Sequence, residues 1–86
     1  MQADIATVRQ RVLQAAKESR VAAQVEDVVV ETDRDDEGTD FLRVLVQVKD
    51  SEKASEADLE ALLEAIENAV GIVDQRYPSV RFLDAA

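Results

Sequence analysis

Residues 55 to about 75 carry the strongest periodic pattern in the chain. The aliphatic residues recur at three- and four-residue spacing, which places them on one face of a helix; they are Leu59, Leu62, Leu63, Ile66, Val70 and Val73. Ser55 precedes the run as an N-cap, and Asp58 follows three residues later in a variant of the capping box. Pro78 is a stop signal, and Gly71 lies inside the pattern, where a kink or an early end is one alternative.

Shorter patterns accompany this helix. Residues 3 to about 20 carry Ile5, Val8 and Val12 on one helical stripe. Residues 25–33 and 41–49 are rich in valine and are predicted to be strands, which an Asp-rich loop around Gly38 joins as a hairpin. Residues 79–83 are predicted to form a short third strand. Residues 1–86 are therefore predicted to form a single small α+β domain, a two-layer α-β-β-α-β fold with both helices packed on one face of a three-stranded sheet.

The alternation along the strands divides the sheet into two faces. The inner face is predicted to carry Val28, Val30, Leu42, Val44, Val46, Val48, Val80 and Phe82 under the helical stripe. The outer face displays Val29, Leu45 and Leu83, with Arg43 and Arg81 beside them. This face is either solvated, with cross-strand arginine–carboxylate pairs, or a dimer or partner interface with the aliphatics at its centre and the arginines at its rim.

The small size of the chain favours such an interface. A chain of 86 residues buries only roughly 60–65% of its unfolded surface, so core packing alone gives marginal stability and oligomerisation can add to it. A second candidate contact surface is the minor stripe of the long helix, formed by Ala61, Ala65, Asn68 and Ile72. Ile72 lies off the main apolar face, and the small residues permit close approach of another helix.

The stretch ETDRDDEGTD, residues 31–40, partly matches a calcium-binding loop. With Asp33 at position 1, Asp35, Glu37 and Gly38 fall at positions 3, 5 and 6. Position 12 is Val44, which cannot supply the two oxygens of the usual glutamate, and the flanks read as strands rather than helices. A hairpin turn explains the same residues, although weak binding of divalent cations by the Asp33–Asp40 cluster stays open.

The charge balance restricts the classes of partner. The net charge is −9 and the chain contains no basic cluster, which argues against nucleic acid and against anionic membranes as partners. The N-terminal segment has charges throughout and does not resemble a signal peptide, and no apolar run approaches the length of a membrane span. Together with the absence of cysteine, these features predict a cytoplasmic location.

The residue types that most enzymes use are missing. Histidine, cysteine and tryptophan are absent, so the commonest general base, the thiol nucleophiles and the usual zinc ligands are excluded. Gly38 and Gly71 are the only glycines and form no phosphate-binding motif. We therefore predict no catalytic residues, no cofactor and no dedicated metal site, and a carboxylate-dependent enzyme stays a minor alternative.

The element order and the late segment RYPSVRF, residues 76–82, resemble the cytosolic C-terminal domain of cation diffusion facilitator transporters. That resemblance implies a dimer, and in that family often a metal site built from histidines, which this chain lacks. The element order also resembles the KH-like domain of ribosome-binding factor A. That family is basic where it touches RNA, and KH domains proper use a GxxG loop, whereas this chain is acidic and has no such loop.

These observations predict a small, acidic, non-enzymatic protein–protein interaction module that forms a homodimer. The predicted interface consists of Val29, Arg43, Leu45, Arg81 and Leu83. One alternative is a neutraliser of a basic partner, as in antitoxins and inhibitors. Salt would weaken the complex of this chain with such a partner. Another is a regulatory domain, similar to those of the cation diffusion facilitators, that responds to divalent cations through Asp33–Asp40.

Overall fold

Two helices and three strands follow one another in the computed structural model, which describes residues 2–84. The elements are α1 (Ile5–Lys17), β1 (Val25–Arg34), β2 (Asp40–Val48), α2 (Glu56–Val73) and β3 (Pro78–Asp84), with a short 3-10 turn at Ser51–Lys53. This order is the predicted α-β-β-α-β sequence of elements, and each strand lies within one residue of its predicted bounds.

The three strands form a mixed sheet in the order β1-β2-β3. β1 and β2 are an antiparallel hairpin, whereas β3 lies parallel to β2. A parallel neighbour requires a long crossover connection, and α2 provides it between the end of β2 and the start of β3. The start of β3 therefore lies beside the start of β2, and Leu42 donates its backbone N–H to the Tyr77 carbonyl at 3.0 Å.

The core lies between the sheet and the two helices. Its buried members are Val8, Val12, Ala16, Val21, Val28, Val30, Leu42, Val44, Val46, Val48, Leu62, Ile66 and Val70. The predicted inner face is thus confirmed, except that Val80 and Phe82 are only partly buried, because β3 is an edge strand. Both helices pack on this one face, which confirms the predicted two-layer fold.

The helix bounds show the influence of side-chain caps. Asp4 accepts the N–H of Thr7 at 2.8 Å, which starts α1, and Ser19 bonds the Ala16 carbonyl through both its N–H and its hydroxyl, which ends it. The prediction of a helix over residues 3–20 was therefore too long. Ser55 caps α2 as predicted, accepting the N–H of Asp58 at 3.1 Å, and α2 continues through Gly71 to Val73.

Within residues 2–84, neither helix has the length and apolar character that would let it cross a membrane.

Candidate functional site

The outer face of the sheet has no layer of described structure over it. Val29, Leu45 and Arg81 form one row across the three strands, and Leu83 lies in the next row beside Gln47. Val29 and Leu45 are half-buried, Arg81 is exposed and Leu83 is 40% exposed. None of the three aliphatic side chains packs against the core. The structure therefore brings these predicted interface residues together in one patch, which we call the outer patch.

Arg43, the fifth predicted interface residue, is fixed at one end of this patch. Its guanidinium lies 5.7 Å from the centroid of the Phe41 ring and forms an ion pair with Asp33. The strand register places Asp33 opposite Phe41, so an arginine that lies over Phe41 meets Asp33 rather than its direct neighbour Glu31. The predicted cross-strand arginine–carboxylate pair is thus present, but in a diagonal arrangement.

An aromatic pair extends the same end of the outer face. The rings of Phe41 and Tyr77 are stacked, with centroids 5.2 Å apart and planes inclined by 10°. This contact leaves Phe41 only 9% exposed although it lies on the uncovered face, while Tyr77 is 47% exposed. Sequence reasoning missed the pair. Its signals were an aromatic residue at the start of β2 and a tyrosine directly before Pro78.

The charges near this pair are set by its surroundings. The backbone N–H of Arg34 and then the charge of Arg43 hold the pKa of Asp33 below its usual range. Burial, followed by the negative charge of Asp35, raises the pKa of Tyr77, whose hydroxyl lies 3.3 Å from the Asp35 carboxylate. At neutral pH this end of the outer face therefore presents a charged Arg43–Asp33 pair beside a neutral phenol.

The acidic loop is a hairpin turn, as predicted. The Asp35 carboxylate accepts the N–H groups of Glu37 and Thr39 at 3.0 and 2.9 Å, and Gly38 adopts a φ of 81°. Arg34 bridges across the turn to Asp40 at 3.0 Å. Two of the three carboxylates that matched the calcium-loop pattern are thus engaged, Asp35 by the turn and Asp33 by Arg43. Within residues 2–84, no group of three or more histidine, cysteine, aspartate or glutamate side chains is placed to hold a metal ion.

A buried ion pair joins the two ends of the fold, and sequence reasoning missed it. The Asp74 side chain is fully buried. Its carboxylate accepts hydrogen bonds from Nε and Nη2 of Arg76 at 3.0 and 2.7 Å. It also accepts a hydrogen bond from the backbone N–H of Ala3 at 3.0 Å. Arg76 Nη2 also donates to the Ala3 carbonyl at 3.1 Å. The hydrogen bonds from Arg76 hold the pKa of Asp74 far below its usual range. This cluster fixes the entry to α1 against the exit from α2.

A groove of about 740 Å³ runs between α1 and α2 on the side of the helices away from the sheet. Its apolar wall is formed by Ala15, Ala61, Leu62, Ala65, Ala69 and Ile72. Three residues of the predicted minor stripe, Ala61, Ala65 and Ile72, line it, whereas Asn68 does not. Ile72 is 69% exposed, the highest value among the exposed large hydrophobic side chains of residues 2–84.

Comparisons with known proteins identify the fold. No protein-family model and no curated protein matches the sequence. Among solved structures, a glutamate-to-alanine variant of the MamM C-terminal domain matches with a TM-score of 0.51 and 19% identity, covering 96% of this chain and 99% of that one. A valine-to-arginine variant of MamM matches with a TM-score of 0.49 and 18% identity, covering 98% of this chain and 86% of that one. A copper form of the MamM C-terminal domain matches with a TM-score of 0.48 and 12% identity, covering 95% of this chain and 97% of that one. The first match shows that the chain shares the fold of the MamM C-terminal domain.

Proposed function

We propose that the chain is a non-enzymatic protein-interaction domain that forms a homodimer through the outer patch. The observation that carries this proposal is a sheet face with no covering layer whose centre is aliphatic: Val29 and Leu45 adjoin across two strands, and Leu83 lies nearby. An exposed apolar patch with a polar rim is typical of an interaction site.

Charge complementarity favours a second copy of the chain as the occupant. Arg81 lies on the edge strand β3 and Glu31 on the opposite edge strand β1, and within residues 2–84 neither forms an ion pair. In a face-to-face pair with its twofold axis parallel to β2, β3 of one copy lies over β1 of the other. Arg81 then comes within reach of Glu31 of the second copy, twice by symmetry.

The size of the face sets the expected affinity. β2 has nine residues, so the face measures roughly 30 by 14 Å, or about 400 Å² per copy. Two copies bury about 800 Å² in projection, which is below the standard interface of roughly 1,600 Å². We therefore expect a dissociation constant on the order of micromolar or weaker, rather than an obligate dimer.

The fold agrees with this proposal. The chain shares the fold of the MamM C-terminal domain. The sequence itself resembles the cytosolic C-terminal domain of cation diffusion facilitators, a resemblance that implies a dimer. The absence of histidine and cysteine from the chain supports a role without catalysis. The net charge of −9 supports a protein partner rather than nucleic acid or an anionic membrane. A cytoplasmic location is part of the same proposal.

Sedimentation velocity tests the dimer. Wild-type protein is expected to shift from the 9.5 kDa monomer toward twice that mass as its concentration rises from about 5 to about 500 μM, a range chosen for a weak interface. Leu45→Glu should remain monomeric, because it places a charge at the centre of the patch. Ala22→Glu, an exposed position in the α1–β1 connection, adds the same charge and should dimerise normally. A wild type that stays monomeric throughout would overturn the proposal.

A second candidate function is regulation by divalent cations, and it rests on the resemblance of the element order and of the segment RYPSVRF to the cytosolic domain of cation diffusion facilitators. The residues concerned are the carboxylates of Asp33–Asp40. Titration calorimetry with calcium, magnesium and manganese tests this candidate. Binding at micromolar concentration that Asp35→Asn and Asp40→Asn weaken would support it, and millimolar or absent binding would end it.

A further inference from the structure

The two helices that flank the groove carry opposite charges. α1 contains Arg9, Arg11 and Lys17 and no acidic residue, whereas every charged residue of α2 is acidic: Glu56, Asp58, Glu60, Glu64 and Glu67. Yet within residues 2–84 no ion pair joins one helix to the other. Arg9 pairs with Asp27 of β1 at 2.9 Å, whereas Arg11, Lys17 and the carboxylates of α2 form no ion pair in the described residues and are left for solvent or for a partner.

The residues that line the groove keep part of this polarity. Arg11 and Arg20 stand on the α1 side and Asp58 on the α2 side, and none of them has an ion-pair partner in the described part of the chain. Glu18 also lies on the α1 side, where Gln14 donates to its carboxylate at 2.8 Å. The wall between these charges is apolar and built largely from alanines, which leave space for inserted side chains.

The length of the groove matches a short helix. Its α2 wall extends from Asp58 to Ile72, which at about 1.5 Å per residue is roughly 21 Å, or about four helical turns. Amphipathic helices bind such grooves by inserting apolar residues at three- and four-residue spacing. The α1 wall is shorter, extending from Arg11 to Arg20, so a bound helix contacts both walls over part of its length.

We propose that the α1–α2 groove binds an amphipathic helix of a protein partner. Its apolar stripe contacts the alanine wall, its acidic flank faces Arg11 and Arg20, and its basic flank faces Asp58. The inference names a partner class for the proposed interaction domain and rests on that function. The groove and the outer patch lie on opposite sides of the molecule, so the two surfaces can be tested separately.

Selection from a displayed library of 16-residue helical peptides against the intact protein tests the proposed partner. We expect enriched peptides to combine an apolar stripe with basic residues along one flank and acidic residues along the other. A net charge of −9 alone would instead enrich uniformly basic peptides without a stripe, and that outcome would overturn the inference.

Paired variants of α2 test the location. Ala61 and Ala57 are both exposed alanines of α2, but Ala61 lines the groove and Ala57 does not. Ala61→Glu should weaken binding of the best selected peptide by at least about tenfold, because the carboxylate enters the apolar wall, whereas Ala57→Glu should change it by less than about twofold. Equal effects of the two substitutions would contradict the proposed site.

Alanine-methyl NMR spectra of the same samples locate the contact directly. The selected peptide should shift the methyl signals of Ala15, Ala61, Ala65 and Ala69, and leave that of Ala22 unchanged. If these signals instead move with protein concentration in the absence of peptide, a second copy occupies the groove and the inference is wrong. Failure of the proposed dimer appears separately, as a loss of concentration dependence in sedimentation.

Discussion

Asp74 is the single residue whose replacement we expect to destabilise the fold most among the charged positions. Its fully buried carboxylate joins Arg76 to the backbone of Ala3. Removing one partner of a buried ion pair typically costs about 3–5 kcal/mol, because the other charge is left without compensation. Asp74→Asn should therefore lower the free energy of unfolding in urea by about 3 kcal/mol. A loss below about 1 kcal/mol would show that Arg76 reaches solvent instead.

The same carboxylate predicts a pH dependence of stability. The pKa of Asp74 is lowered in the folded state, mainly by the hydrogen bonds from Arg76, so its contribution is fully present above the unfolded value of about 3.9. It is lost progressively as the pH falls below that value. Urea unfolding should show no Asp74-dependent change between about pH 7 and 5, and a decline below about pH 4 that is reduced in Asp74→Asn. Identical acid profiles of the two proteins would contradict this assignment.

At the scale of elements, α2 carries a correctable weakness at Gly71. The helix passes through this residue without a positive φ, and a Cβ added there would meet no atom within 4 Å. Gly71→Ala should raise the free energy of unfolding by about 0.5 kcal/mol, because it reduces the entropy of the unfolded chain. Gly38→Ala is the matched contrast: Gly38 has a φ of +81°, so this substitution should lower stability by roughly 1 kcal/mol. A destabilising Gly71→Ala would mean that the helix end requires glycine.

Periodicity predicted the elements, and contacts between distant segments were beyond it. The apolar residues of Leu59–Val73 recur at helical spacing, and those of Leu42–Val48 alternate as in a strand. Each pattern fits only one type of element, so it predicted both the element and the face that is buried. The outer patch followed from the same alternation. The bond between Ala3 and Asp74 joins residues 71 positions apart, and no local pattern reports it. The parallel placement of β3, and with it the Phe41–Tyr77 stack, also depends on where the chain returns to the sheet.

At the scale of the whole molecule, net charge opposes self-association. The shortest dimension of the fold is 21 Å. Two copies separated by that distance, each of charge −9, repel by roughly 16 kcal/mol in unscreened water. At a Debye length of about 8 Å the repulsion falls to about 1 kcal/mol. Rim ion pairs contribute only about 0–1 kcal/mol each. Salt should therefore tighten the dimer, and sedimentation at about 20 and about 500 mM NaCl measures the effect. A dimer that salt weakens would indicate that ion pairs between the copies dominate.

The central claim, that the outer patch joins two copies of the chain, is tested most directly by isotope-filtered NOE spectroscopy on a mixture of labelled and unlabelled protein. We expect intermolecular NOEs among the methyl groups of Val29, Leu45 and Leu83, because the twofold arrangement brings these side chains into contact. Intermolecular NOEs confined to Ala61, Ala65 and Ile72, or their absence at concentrations where sedimentation shows a dimer, would contradict the account.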